Sequence, residues 1–278
     1  MDYPALFQPR WNVRRFVLCN LVALALLLVW IWPTGHALFT QFDEWLFHLL
    51  NRPLAQNTVW LYIWTVASMR PFDAVVGVIL LILLIKGDWV FKAAQTRAAL
   101  IGFVVTLILL LVIRTVFSKV LDHTSLQHDS ASMMIPDAIK LSEIFPSLED
   151  KWQLKDRSSQ SFPGDHASVL LIWAMFMTVF SRTAGQRVII WVLAFLFMMP
   201  RLVAGAHWGQ DDYIGGVMIA LLALGWSCYT PFVARSTGFL LRVTAPLFKL
   251  LAKVPLVKYL SVVRSSETQS VIRRMKVK

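Results

Sequence analysis

The chain has 278 residues, 57% hydrophobic and 15% charged, against roughly 45–50% and about 25% in soluble globular domains. Its formal net charge is +11, but residues 233–278 hold ten Lys/Arg against the single acid Glu267, so +9 of it sits in the tail. A polytopic membrane protein is therefore expected, and a nucleic-acid partner is not. A basic tail after a membrane helix suits a cytoplasmic leaflet with anionic lipids.

Residues 1–15 are short and basic, with Arg10, Arg14 and Arg15. The apolar run 16–32 ends at Pro33 and Gly35. No small-x-small cleavage site follows it, so it reads as an uncleaved first span rather than a signal peptide. Residues 36–58 are mixed and read as lying outside the bilayer or along its interface. Residues 59–67 are apolar but too short to cross. Arg70-Pro71-Phe72-Asp73 interrupts the pattern, with Arg70 as an interfacial anchor, and the second span covers 74–85. Lys86, Lys92 and Arg97 mark the next turn, and the third span covers 98–117 with Arg114 near its end. Residues 118–165 form one long polar loop with five Lys/Arg and eight Asp/Glu. The fourth span is 167–180, a basic turn occupies 181–187, and the fifth and sixth spans begin at 188 and 213. Cys19 and Cys228 both lie in apolar runs and offer neither a disulfide framework nor zinc-ligand spacing.

The basic segments alternate with the others. The N-terminus, the 86–97 turn, the 181–187 turn and the tail are basic; the 118–165 loop is net acidic. By the positive-inside rule this predicts six spans with both termini cytoplasmic, and in a bacterium the remaining loops face the periplasm from the inner membrane. The expected organisation is a six-span catalytic domain over 1–232, with 118–165 as its active-site loop, followed by a basic tail over 233–278. In that tail Arg235, Arg242 and Lys249 recur every seven residues on one helical face, and Pro246 and Pro255 break the run. It reads as an interfacial amphipathic segment.

Two polar stretches at span edges carry the chemistry. In Ser161-Phe162-Pro163-Gly164-Asp165-His166, Pro163 and Gly164 turn the chain into the fourth span. The free N–H groups at a helix start make an anion site there. His166 is placed to donate a proton to a leaving oxygen, while Asp165 reads either as a helix cap or as a charge that tunes His166. In the second stretch, 201–211, His207 and Asp211 are four apart and share a helical face. The carboxylate can then fix the imidazole tautomer and leave the other nitrogen free as a nucleophile. Arg201 offers a bidentate fork for a phosphate. Further cation for a phosphate or pyrophosphate must come from the long loop, where Lys119, Lys155 and Arg157 are candidates; His123 and His128 are weaker ones.

These residues resemble the type 2 phosphatidic acid phosphatase superfamily of membrane lipid phosphatases, whose motifs are Lys-x6-Arg-Pro, Pro-Ser-Gly-His and Ser-Arg-x5-His-x3-Asp. The third is matched at Arg201, His207 and Asp211, with Pro200 in place of Ser. The second is matched at Pro163 and His166, with Gly164 and Asp165 between them. The first has no clean match, since Leu126-Gln127 stands where Arg-Pro would follow Lys119. The resemblance implies an all-α, six-helix membrane bundle without metal or other cofactor. It makes His207 the nucleophile of a phosphohistidine, Asp211 its orienting group, His166 the proton donor and Arg201 a phosphate ligand. Gly164, Asp165, Lys119 and Arg157 complete the expected phosphate-binding set. Ser161–His166, Pro200-Arg201 and Arg70-Pro71-Phe72-Asp73 are also similar to a narrower branch. Members of that branch take the terminal phosphate of undecaprenyl pyrophosphate and pass it to lipid A 1-phosphate or to water. Two alternatives stay open: a broad phosphatase for phosphatidic acid or phosphatidylglycerol phosphate, and a non-catalytic lipid-binding protein or flippase on the same fold.

Overall fold

The computed structural model describes residues 6–124 and 126–264. The last part of the basic tail, 265–278, lies outside the described residues. Among those described, nine principal helices carry the fold: α1 Val13–Ile31, α2 Pro33–Asn51, α3 Thr58–Ser68, α4 Arg70–Ile85, α5 Thr96–Leu121, α6 Asp165–Phe180, α7 Ala184–Ala204, α8 Val217–Cys228 and α9 Phe232–Val243. A single π-helical stretch, Asp211–Gly216, leads into α8.

The helix ends follow local rules. Asn12 caps α1 by accepting the Arg15 N–H at 3.3 Å, and Asn57 caps α3 through Trp60 N at 3.0 Å. α2 and α4 start with proline in the first turn, where its missing N–H costs nothing. Thr183 and Gln186 form a reciprocal capping box at the start of α7, satisfying two otherwise unpaired donors. The expected interfacial stretch 36–58 is mostly helical: α2 covers it to Asn51 and packs against α1 and α7.

α6 stands at the centre. Leu170, Leu171, Ile172, Trp173, Ala174, Phe176 and Met177 are all buried, so this helix is apolar and covered all round. Trp173 Nε1 donates to Leu80 O at 3.2 Å and ties α6 to α4. The outward faces of α1, α5 and α7 instead expose Leu18, Leu21, Leu28, Ile108, Val112, Val116, Val192 and Phe195. Such faces fit a lipid solvent. By length and composition three helices can cross a membrane: Val13–Ile31, the 93–121 stretch and Ala184–Ala204. A fourth is the pair Asp211–Cys228 and Phe232–Val243, bent by 67°, if counted as one span. The expected fourth span, α6, is apolar but has only 16 residues.

Candidate active site

Two backbone devices bring the polar stretches together. Gly205, at φ +79°, ends α7. This left-handed conformation costs glycine little. The chain then folds back so that Ala206 N and His207 N both donate to Arg201 O, at 2.9 and 3.4 Å. Across from it, Gly164 N donates to Asp211 O at 2.9 Å. A Cβ on Gly164 would lie 2.5 Å from Asp212 Oδ1 and 3.0 Å from Asp211 O, so only glycine permits this approach. Trp30 clamps both sides: its ring stacks on Phe162 at 4.0 Å, and its Nε1 donates to Gln210 Oε1 at 2.8 Å.

His207 sits in the junction, 6% exposed. Its Nδ1 lies 3.1 Å from Ser161 O and 3.5 Å from Asp211 Oδ2. Its Nε2 lies 3.1 Å from Asp165 Oδ1. Asp211 is fully buried and heavily engaged. It accepts from the Ser161 hydroxyl and from Trp208 N at 2.8 Å, and its Oδ1 lies 3.2 Å from His128 Nε2. Burial alone would lower the His207 pKa, but the hydrogen bonds from Asp165 and Asp211 outweigh it and hold the imidazole up at about 10. For His128 burial likewise pulls downward, and the bond to Asp211 leaves the net shift upward.

A cavity of about 450 Å³ opens in front of His207, lined by His166, Asp165, Asp73 and the cations Arg70, Arg114, Lys155, Arg157 and Arg201. Arg201 is buried; it pairs with Asp73 and donates to Ser68 O at 3.2 Å. His166 Nε2 lies 3.2 Å from Phe197 O, leaving Nδ1, 4.0 Å from Asp73 Oδ1, on the cavity side. Arg157 shares an ion pair of 3.3 Å with Glu149. Arg114 has a buried Nε with no hydrogen-bond partner among the described residues. A buried donor left unpaired is costly, and an anion in the cavity would satisfy it. This chamber of convergent cations with a carboxylate-backed imidazole at its wall has the chemistry of phosphoryl transfer.

Residues 122–235 match the PAP2 superfamily. That match spans 114 of the chain's 278 residues and takes in Gly164, His166, Arg201, His207 and Asp211. It is also 29% identical, over 229 residues, to the lipid A 1-diphosphate synthase of Escherichia coli (strain K12), covering 82% of this chain and 92% of that protein. No solved structure matches the chain.

The motifs that resemble those of PAP2 proteins hold His207, Asp211, His166 and Arg201; His207, His166 and Arg201 line one chamber, and Asp211 is buried behind His207. Two members of the expected phosphate-binding set do not fit it. Gly164 is buried and its N–H is committed to Asp211 O, so it has no donor for a phosphate. Lys119 is exposed and absent from the cavity wall. It stands five residues beyond Arg114 on α5, some 140° further round the helix at about 100° per residue, so Arg114 faces the chamber and Lys119 does not. Asp165 is not the cap of α6: Gly164 holds that position without a side-chain cap bond, and Asp165, the first helical residue, accepts His166 N at 2.7 Å and contacts His207. Besides Arg114, four further residues join the site. Asp73 and Arg70 sit in the Arg-Pro-Phe-Asp break, the one sequence signal that singles them out. Ser161 supplies a hydroxyl three residues before Gly164, and His128, a weak candidate by sequence, backs Asp211.

Proposed function

We propose that this protein is a membrane lipid phosphatase or phosphotransferase that removes the terminal phosphate of a lipid pyrophosphate, undecaprenyl pyrophosphate, through a phosphohistidine on His207. The observation that carries this reading is the placing of His207. Nδ1 is backed by Asp211, and Nε2 faces a cavity with five cationic side chains. The terminal phosphate enters at Arg201 and Arg114 as the Asp165 carboxylate takes the Nε2 proton and moves off the ring, so that a neutral Nε2 faces phosphorus. The N–P bond forms as the P–O bond to the bridging oxygen breaks, and His166 gives the leaving oxygen its proton. In the second half, an acceptor oxygen attacks phosphorus, the N–P bond breaks, and His166 recovers the acceptor's proton. Asp211 holds the tautomer and stabilises positive charge on the ring. Arg201, Arg114, Arg70, Lys155 and Arg157 neutralise the charge on the transferring group.

The acceptor is water or the lipid A 1-phosphate. Lipid A is favoured by the likeness to the synthase named above. The setting is a bacterial inner membrane with six crossings, both termini cytoplasmic and the cavity periplasmic, in keeping with the alternation of basic loops. A 16-residue helix such as α6 is about 24 Å long, short of a hydrocarbon core of ~30 Å. Local thinning of the bilayer absorbs such a mismatch.

Purified protein given undecaprenyl pyrophosphate labelled in its terminal phosphate, with and without lipid A, tests this. Label moving to lipid A makes the protein a phosphotransferase, and free phosphate in both samples makes it a pyrophosphatase. Turnover of phosphatidic acid with none of the pyrophosphate would overturn the donor assignment.

A further inference from the structure

A second cavity lies at the other end of α8 and on a different face of α5 from the catalytic chamber. It has a volume of about 610 Å³ and opens at the bend between α8 and α9. That is within the roughly 300–1,000 Å³ typical of small-molecule sites. Leu109 and Ile113 of α5, Trp226 of α8 and Phe232 of α9 give it an apolar wall. Arg235 and Ser236, in the first turns of α9, add one cation and one hydroxyl to that lining. Trp11, just before α1, closes another side.

The surroundings are basic without exception. Neither residues 3–42 nor residues 213–264 contain an Asp or Glu, whereas Arg10, Arg14, Arg15, Arg235 and Arg242 lie on these stretches. Arg235 is exposed and makes no ion pair among the described residues. The segment after α9 is held in place rather than trailing away. Arg97 Nε donates to Val262 O at 2.8 Å, its guanidinium lies 4.2 Å from the Phe248 ring centre, and Val262 and Val263 are buried. This folded collar exposes Phe239, Leu247, Leu250, Leu256 and Tyr259 together with Arg242, Lys249 and Lys253. It presents apolar and cationic groups together on the surface that continues from α9.

We infer that the groove at the α8–α9 bend binds a single anionic phospholipid, its acyl chain along Leu109, Ile113 and Trp226 and its phosphate on Arg235 and Ser236. Apolar walls select an acyl chain. The absence of Asp and Glu from the described residues 6–42 and 213–264 selects a headgroup with net negative charge over a zwitterionic one. The site is independent of the catalytic reading, sharing no lining residue with the chamber around His207. One Arg near a membrane surface is worth about 1 kcal/mol toward an anionic lipid, roughly a fivefold preference.

The test uses the full chain in detergent, titrated with phosphatidylglycerol or phosphatidylcholine carrying brominated acyl chains. Trp11 and Trp226 report entry by quenching. Phosphatidylglycerol should quench at roughly fivefold lower concentration, and Trp226→Phe should remove a large share of the quenching. Arg235→Gln should make the two lipids equal while phosphate release stays at the wild-type rate. Equal quenching by both lipids in the wild type would overturn the assignment. So would a preference that survives Arg235→Gln, or quenching unchanged by Trp226→Phe. A dimer that shields Trp226 from both lipids would assign the groove to a second copy of the chain instead.

Discussion

Asp211→Asn isolates what the buried carboxylate does for His207. The side chain is fully buried and has four partners: the Ser161 hydroxyl, Trp208 N, His128 and His207. An asparagine of the same shape can turn its oxygen to Trp208 N and Ser161 and its amide toward His128, which accepts when neutral. The fold therefore survives, but hydrogen bonds to a charge, worth about 1.5–3 kcal/mol, become neutral ones worth about 0.5–1.5 kcal/mol. The expected stability loss is about 1–2 kcal/mol. The expected catalytic loss is larger, because in the proposed mechanism the carboxylate stabilises the positive ring that forms with the phosphoenzyme. Removing the carboxylate behind a catalytic imidazole costs up to about 10⁴ in kcat. The looser 3.5 Å contact here, with Ser161 O also holding Nδ1, brings the expectation to about 10²–10³. The assay is phosphate release from a lipid pyrophosphate, beside a thermal melt in the same detergent. A variant within tenfold of wild-type kcat and with an unchanged melting temperature would refute the argument.

Arg114→Gln should lower kcat/KM by about 10²-fold, as for a donor lost from the transferring group, whereas Lys119→Gln should stay within about twofold; equal losses would contradict the placement on α5. Gly164→Ala should cost about 1–3 kcal/mol by overpacking and more than tenfold in activity, because its Cβ would meet Asp212 and the Asp211 carbonyl; a wild-type melt with full activity argues against the close approach. The raised His207 pKa stabilises the fold fully below the unfolded value near 6.5, and this contribution fades as pH rises through about 10. Asp165→Asn should flatten that decline and lower the pH at which the ring titrates in ¹⁵N-histidine spectra; an unchanged titration would remove Asp165 from its role.

The candidate quartet His207, Asp211, His166 and Arg201 was legible as two polar stretches that meet, because each half is a short local pattern whose spacing is meaningful by itself. His207 and Asp211 need only a helical turn between them, and Pro163-Gly164 marks a turn wherever it occurs. The cation set was not legible in the same way. Whether Arg114 or Lys119 faces the chamber depends on the rotation of α5 about its axis, which its apolar contacts set. Asp73 meets Arg201, and His128 meets Asp211, across long separations in the chain that spacing cannot reveal. Gly164 misled for a related reason. Its place at a helix start promised a free N–H, but the partner stretch supplies the Asp211 carbonyl that takes it. Among the helices, α1, α5 and α7 were plain from their long apolar runs. α2 was not, because its buried face includes Asp43, which accepts Gln210 N at 2.8 Å and reads as a solvent residue in sequence.

The most direct measurement is to trap the covalent intermediate. Protein mixed with lipid pyrophosphate labelled in its terminal phosphate, then quenched in alkali, should carry a label stable to base and labile to acid, mapped to the peptide containing His207. His207→Ala should carry none, while His166→Ala, lacking the proton donor of the first half-reaction and the proton acceptor of the second, should form and lose the label slowly. Rapid turnover by His207→Ala, or a label mapping to any other residue, would contradict the account.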